Sequence, residues 1–233
     1  IETVASLNSN SVSPRDAADH PFIYVRSSGT VSGVPRLGAL SHHATSNWFH
    51  RHLNPTAQVR QEVRLSLIDI QPDAGKTAAL AFLLNGGCIA FFPQSSELGE
   101  LVDFIRTNSV DHLAGFANHA AILLQAANHP RYGTGGLFPN LKSLQLSYTV
   151  TPEPLRQSIV SQLTPNLFIV YGAIEVGSIA WTTPAQIEKH PGSIGQIRTG
   201  AEMEIVDENG QPVPAEEVGF IRLRSDGQIS GYI

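Results

Sequence analysis

Cysteine, charge and long apolar runs are all scarce in this chain, and each scarcity removes a class of function. Cys88 is the single cysteine, so disulfide scaffolds and cysteine-based metal sites are excluded. It lies in the apolar stretch Gly87-Cys88-Ile89-Ala90-Phe91, which predicts a small buried hydrophobe. Charged residues make up only 15% of the chain, and the formal net charge is -5. Lys and Arg are scattered, so there is no electrostatic footprint for nucleic acid or an anionic membrane surface. No apolar run approaches the ~20 residues that span a bilayer. Ile1 to Asp19 are polar and lack the pattern of a signal peptide. A soluble, cytoplasmic protein acting on small molecules or other proteins is the expectation. The histidines offer no ligand spacing: His42 and His43 are adjacent, and His112 and His119 fall on different elements. A Walker phosphate loop is also missing. Asp73-Ala74-Gly75-Lys76-Thr77 ends like one, but Ile70 stands where its first glycine is required for the tight turn.

What is present is enough to build a core. A chain of 233 residues, 42% hydrophobic, suits one large domain or a domain with a small appendage. Residues 1–21 carry Ser, Asn, Asp and Pro without periodicity and read as a linker. Strand and helix signals then alternate. Strands are expected at Phe22 to Val25, Val63 to Ile70, Cys88 to Phe92, Asp111 to Phe116, Leu141 to Leu146 and Leu167 to Tyr171. Helices are expected at Ala44 to Leu53, Lys76 to Leu84, Leu98 to Arg106, Ala120 to Asn128 and Glu153 to Leu163. Short apolar strands separated by helices imply a mostly parallel sheet covered on both faces, an α/β architecture.

The texture changes near Pro191, where Gly, Pro and acidic residues punctuate shorter stretches. Ala201 to Val206 and Gly219 to Arg224 flank Asp207-Glu208-Asn209-Gly210, whose Asn-Gly pair signals an antiparallel turn. The reading is an α/β core over residues 22–190 and an incomplete β-rich segment, part of a small antiparallel barrel, over 191–233. Both ends of the chain look like cuts through a longer polypeptide.

Two stretches carry candidate chemistry. Ser27-Ser28-Gly29-Thr30-Val31-Ser32-Gly33-Val34-Pro35-Arg36 follows the first strand and leads through Pro35-Arg36 towards an expected helix. Its glycines allow backbone N–H groups to turn inward on an anion, its hydroxyls add donors, and Arg36 adds fixed positive charge. The same composition also serves as plain turn chemistry. The second stretch is the strand Leu167 to Tyr171 with Gly172, ending at Glu175. Ligands bind outside the carboxyl ends of parallel strands. There, Tyr171 can stack on a base, Gly172 admits a ligand close to the backbone, and Glu175 can hold Mg²⁺ beside phosphates. A capped strand with a solvated Glu is the alternative.

Taken together, these stretches resemble the adenylate-forming superfamily of acyl-CoA synthetases, luciferases and adenylation domains of nonribosomal peptide synthetases. The loop at Ser27 to Arg36 is similar to that family's Ser-Gly-Thr-Thr-Gly-x-Pro-Lys motif. Tyr171-Gly172-Ala173-Ile174-Glu175 is similar to its Tyr-Gly-x-Thr-Glu motif. The run from Pro191-Gly192-Ser193-Ile194-Gly195 through Asp207-Glu208-Asn209-Gly210 to Gly219-Phe220-Ile221 is similar to the family's next stretch, and Gly231-Tyr232 to a later Gly-Tyr. The departures are specific. The loop is one residue longer, Arg36 replaces Lys, Ile174 replaces Thr, and Leu146-Ser147-Tyr148-Thr149-Val150 stands where the family has a glycine pair.

The resemblance implies attack of a small-molecule carboxylate on the α-phosphate of ATP, giving an acyl-adenylate and pyrophosphate, with transfer to a thiol of CoA or a carrier protein. It implies that Ser27, Ser28, Gly29, Thr30, Ser32, Gly33 and Arg36 clamp phosphates and that Glu175 binds Mg²⁺. Tyr171 and Gly172 then pack at the adenine, with Ser147 and Tyr148 beside it. Asp73 resembles the position of an amine-gripping Asp in amino-acid-activating relatives, and equally an Asp-x-Gly in fatty-acid-activating ones. Trp181 and Phe116 are candidate pocket walls, with core packing as the alternative for each. The resemblance also implies further N- and C-terminal subdomains, the latter with a catalytic Lys, and little adenylation by this stretch alone. The alternative is a degenerate adenylation-like domain with a structural or protein-interaction role, which Ile174, the lengthened loop and Ser147-Tyr148 favour.

Overall fold

Alternation along short strands decides which side chains are buried on each face, and glycines decide where the strands end. The computed structural model describes residues 18–27, 33–52, 60–69, 73–93, 96–132 and 135–233. Strands β1 (Pro21–Arg26) and β2 (Leu37–Ser41) pair antiparallel, with Arg26 opposite Leu37. Strand β2 is an addition to the sequence reading, in which Pro35-Arg36 leads towards the helix expected at Ala44 to Leu53. The backbone groups after the loop are satisfied across a hairpin, and helix α1 (His42–His52) starts only after β2.

The main sheet contains β3 (Val63–Ser66), β4 (Cys88–Ala90), β5 (His112–Gly115), β6 (Ser143–Leu146), β7 (Leu167–Ala173), β8 (Gly177–Thr182) and β9 (Gln196–Ile197). Their spatial order is β4-β3-β5-β6-β7-β8-β9. The first five positions are parallel, and β8 and β9 extend the sheet antiparallel. Helices α2 (Asp73–Leu84), α3 (Leu98–Thr107), α4 (Ala117–Ala127) and α5 (Glu153–Gln162) connect the parallel strands. The strand β8 and the short helix α6 (Pro184–Lys189) are additions to the sequence reading. Helix α6 is closed at its start by a reciprocal pair: the Thr183 N–H donates to Gln186 Oε1 at 2.9 Å, and the Gln186 N–H to Thr183 Oγ1.

One face of the sheet is a continuous apolar core. Leu65, Leu113, Leu144, Leu146, Leu167 and Ile169 project onto Val102 and Ile105 of α3, Ala120 and Leu123 of α4, and Ile159 of α5. Each fully buried side chain of this size contributes about 1.5–3 kcal/mol. The alternate residues Arg64, Ser66, Ala114, Gln145 and Val170 point to the other face. There Phe82 of α2 meets Arg64 and His112, and Trp48 of α1 lines a cleft with Arg64 and Ser66. Cys88 is exposed rather than buried, because β4 is an edge strand of the sheet.

Strands β10 (Ala201–Val206) and β11 (Phe220–Ser225) form a separate antiparallel pair. The Asn-Gly turn acts one step earlier than expected. It folds residues 211–213 back onto β10, with Asp207 N–H on Gln211 C=O and Val213 N–H on Ile205 C=O, before the chain reaches β11. No helix among the described residues is long and apolar enough to cross a membrane.

A polar network ties the amino ends of β3, β5 and β6. Glu62 accepts from Lys142 Nζ at 2.6 Å and from His112 Nε2 at 2.7 Å. A carboxylate only accepts, so His112 carries its proton on Nε2 and Nδ1 accepts from the Ser143 hydroxyl at 2.8 Å. Asp111 accepts from the Val63 N–H at 2.9 Å and pairs with Lys142 at 3.0 Å. Burial opposes the charge on Glu62 and Asp111. Their hydrogen bonds outweigh it and hold both carboxyls below their ordinary values. Burial pulls His112 below its ordinary value despite Glu62, so it serves as a neutral bridge.

The signs fix the pH dependence. A histidine with a depressed folded pKa loses stability as pH falls through its unfolded value near 6.5, because the unfolded chain takes up the proton first. The depressed carboxyls contribute above the ordinary carboxyl range near 4 and lose that contribution on acidification through it. Thermal melts from pH 8 to 4 are therefore expected to show Tm falling from about pH 6.5 downward and more steeply near pH 4. His112→Gln should flatten the upper limb, and an unchanged upper limb in that variant would disprove the assignment.

Candidate functional site

The order of the strands opens a crevice. From β3 the chain crosses over α2 to β4 on one side, then returns over α3 to β5 on the other. Connections leave the sheet in opposite directions at β3, and in parallel sheets such a switch point leaves room beyond the carboxyl ends. A cavity of about 590 Å³ lies there. Phe91, Phe92, Leu98 and Ile122 supply apolar wall, while Arg64, Ser66, Asp69, Ser96 and His119 supply polar surface. An adjoining narrow cleft of about 60 Å³ is lined by Trp48, Gln145, Ser147, Tyr148, Gly172 and Ile174, among others. Arg64, Ser66, Ile68, Gly75 and Ala78 line both.

The loop after β1 is closed at its base by two bonds. The Ser27 N–H donates to the Arg36 carbonyl, and the Arg36 N–H to Ser27 Oγ, each at 2.9 Å. Gly33 has φ +71, and a methyl group placed on it would meet nothing within 4 Å, so its conformation rather than its space calls for glycine. Ser28, Gly29, Thr30 and Ser32 lie outside the described residues. The Arg36 guanidinium carbon sits 5.2 Å from the ring centroid of Tyr232, and the Tyr232 hydroxyl donates to Glu175 Oε1 at 2.5 Å. That hydrogen bond to Glu175 pushes the phenol above its ordinary pKa, while the Arg36 charge pulls the other way. Arg36 and Glu175, taken from separate motifs, thus meet through a third residue. The chain around Tyr232 is held in place by the Ile229 N–H on the Glu175 carbonyl and the Ile233 N–H on that of Leu37.

The second motif forms the end of β7 and the turn into β8. Gly172 and Gly177 let the two strands approach. A Cβ on Gly172 would stand 2.2 Å from the Gly177 carbonyl, and one on Gly177 would stand 2.5 Å from Trp48 Nε1. Tyr171, half-buried, is paired with Ala180 across the strands. Ile174 lines the narrow cleft and packs against a small cluster of Val25, Leu40, Ala44 and Trp48. An apolar contact therefore stands where the resembling motif has a hydroxyl.

Ser147 and Tyr148 follow the carboxyl end of β6. Tyr148 has φ +65, a left-handed conformation that a side chain disfavours and glycine does not. Its ring lies edge-on to Phe116 at 5.8 Å, and Phe116 stacks on His119 at 5.2 Å. Trp181 stacks on Phe168 at 5.6 Å and lies 5.1 Å from the Arg198 guanidinium, lining neither cavity. Asp73 is the first residue of α2, two positions before Gly75.

Sequence reasoning passes over Arg64, Ser66, Gln145, Trp48 and His119. Arg64 Nη2 donates to Gln145 Oε1 at 2.8 Å, and its guanidinium lies 5.9 Å from the Phe82 ring. Burial pushes its pKa down to about 10. His119 Nδ1 accepts from the Phe116 N–H at 3.1 Å, and burial lowers its pKa. The one signal for Arg64 is an arginine inside the otherwise apolar strand Val63-Arg64-Leu65.

Comparison with known proteins agrees with this fold. Similar solved structures include o-succinylbenzoate CoA synthetase (MenE) from Bacillus subtilis at 18% identity and TM-score 0.78, covering 92% of this chain and 42% of that one. ATP-bound MatB from Rhodopseudomonas palustris is similar at 19% identity and TM-score 0.79, covering 92% and 41%. The amide bond synthetase McbA from Marinactinospora thermotolerans is similar at 23% identity and TM-score 0.74, covering 87% and 40%. The chain spans about two fifths of the length of these structures. Comparison with curated protein sequences gave no match. A family model described as AMP-binding enzyme matches residues 2–233. Over almost its whole length, then, the chain belongs to the AMP-binding enzyme family.

Proposed function

We propose that the protein activates a small-molecule carboxylate with ATP. In this reaction a carboxylate oxygen bonds to the α-phosphorus, the bond to the pyrophosphate oxygen breaks, and acyl-adenylate and pyrophosphate leave. Transfer to a thiol of CoA or a carrier protein completes the proposed cycle. The observation that carries this reading is the meeting of Arg36 and Glu175 at Tyr232, one residue on from Ile174 in the lining of the narrow cleft at the carboxyl edge of the parallel sheet.

The chain's own groups divide the work by position and charge. Arg36, with the loop that Ser27 closes, neutralises phosphate charge that develops on the leaving pyrophosphate. Glu175 is a hard oxygen donor and suits Mg²⁺, which takes one or two carboxylates beside phosphate oxygens. Bound Mg²⁺ supplies further charge neutralisation. Gly172 admits a ligand to the backbone, and Ser147 and Tyr148 border the same cleft; Tyr171, which lines neither cavity, takes the base side by the family resemblance. The apolar wall of the larger cavity receives the carboxylate's body and excludes water.

Ile174 and Tyr148 favour a second reading, in which the fold is kept for protein interaction. One loses a hydroxyl to packing, and the other places a ring at a left-handed position. Calorimetric titration of the full-length protein with Mg-ATP separates the two: heat of binding is expected, and its absence would favour the interaction role.

Mutation checks the site. Glu175→Ala should lower pyrophosphate exchange by about 10²-fold or more, the scale of losing one charge-stabilising group. Arg36→Ala should act similarly, with Arg36→Lys retaining more activity because the charge persists. Unchanged exchange in Glu175→Ala would remove it from metal binding.

A further inference from the structure

We infer that Arg64 makes the cavity a site for carboxylates that carry a second anionic group at the far end from the reacting one, dicarboxylates being the simplest class. This rests on the proposed adenylation and deepens it.

The placement of Arg64 is unusual for a parallel strand. Its neighbours Val63 and Leu65 join the apolar core, while its own side chain turns to the opposite face and borders both cavities. Its hydrogen-bond partner is the neutral Gln145, and its ring neighbour is Phe82. Among the described residues no carboxylate pairs with it. A desolvated cation without a counter-charge is costly unless an anion completes it. Burial already weakens its hold on the proton, in keeping with a charge that lacks compensation. A guanidinium also presents several N–H donors in a planar fork, of which Gln145 takes one.

Register locates the charge at depth. Ser66, Ala114, Gln145 and Phe168 stand level across β3, β5, β6 and β7, and Arg64 reaches that level to meet Gln145. Gly172 lies four residues further along β7, roughly 13 Å at the rise of a parallel strand. A carboxylate reacting near Gly172 and Glu175 would thus have its other end towards Arg64. Ala114, Val170, Ala173 and Ile174 line the cleft between those levels, and the larger apolar cavity opens beside it at Arg64, so a methylene chain joining two acidic ends meets apolar side chains.

The test compares adipate, suberate and sebacate with hexanoate, octanoate and decanoate in pyrophosphate exchange by the full-length protein. The diacids should exceed the monoacids of equal length in kcat/KM by roughly 10–100-fold, the worth of one charged hydrogen-bonded pair. Arg64→Met should erase or reverse the diacid-to-monoacid ratio of kcat/KM, and Arg64→Lys should recover part of it. Equal use of both classes, or a loss in Arg64→Met that is the same for both, would overturn the inference. Should no acid support exchange, the adenylation reading fails separately. Calorimetry with suberate then decides: binding lost in Arg64→Met upholds the anion site, and no binding to the wild type refutes it. A thermal melt of each variant confirms folding.

Discussion

A β-strand in a parallel sheet must bury two faces at once, and β3 does so with opposite chemistry on each. Leu65 enters a core shared with α3, α4 and α5 and is fully buried. Arg64 and Ser66 face the other way, where α1 and α2 leave open space against the sheet. The same strand is the switch point from which the chain departs to β4 and then β5. The crevice exists because of the crossover order, and its polar floor exists because of the two-residue alternation. Neither would produce a site alone.

The polar network below the sheet complements this arrangement. Glu62, His112, Lys142, Asp111 and Ser143 join the amino ends of β3, β5 and β6. They fix the relative height of those strands, which sets the level of Ser66, Ala114 and Gln145 above. Electrostatics at one edge therefore positions side chains whose contacts matter at the other.

The parallel core is legible in the sequence because buried strands read as short apolar runs between helical periods, as in Leu167 to Val170. The antiparallel additions are harder. Strand β8 begins Gly177-Ser178, small residues without an alternating signal, and the turn before it lies inside the stretch read for chemistry. The hairpin of β1 and β2 is hidden by Pro35-Arg36, which suits the approach to a helix as well as to a strand. The exposure of Cys88 escapes the sequence because an apolar context cannot reveal that its strand lies at an edge. At the site, motifs lead to Arg36 and Glu175, whereas their bridge through Tyr232 spans 57 residues of sequence from Glu175 and depends on the tail folding onto β2. Arg64 is visible as a letter, but its meaning depends on which face it takes.

The Tyr232 hydroxyl already occupies an oxygen of Glu175. The carboxylate's other oxygen, Oε2, carries no part of that bond, so the phenol fixes the orientation of the carboxylate without using up its acceptor capacity. Residues around Tyr232 are also bonded to Glu175 and Leu37 through the backbone, which ties the turn after β7 to the first hairpin. The base of the loop after β1 and the segment around Tyr232 are thus joined twice, through the Arg36 guanidinium on the Tyr232 ring and the Ile233 N–H on the Leu37 carbonyl.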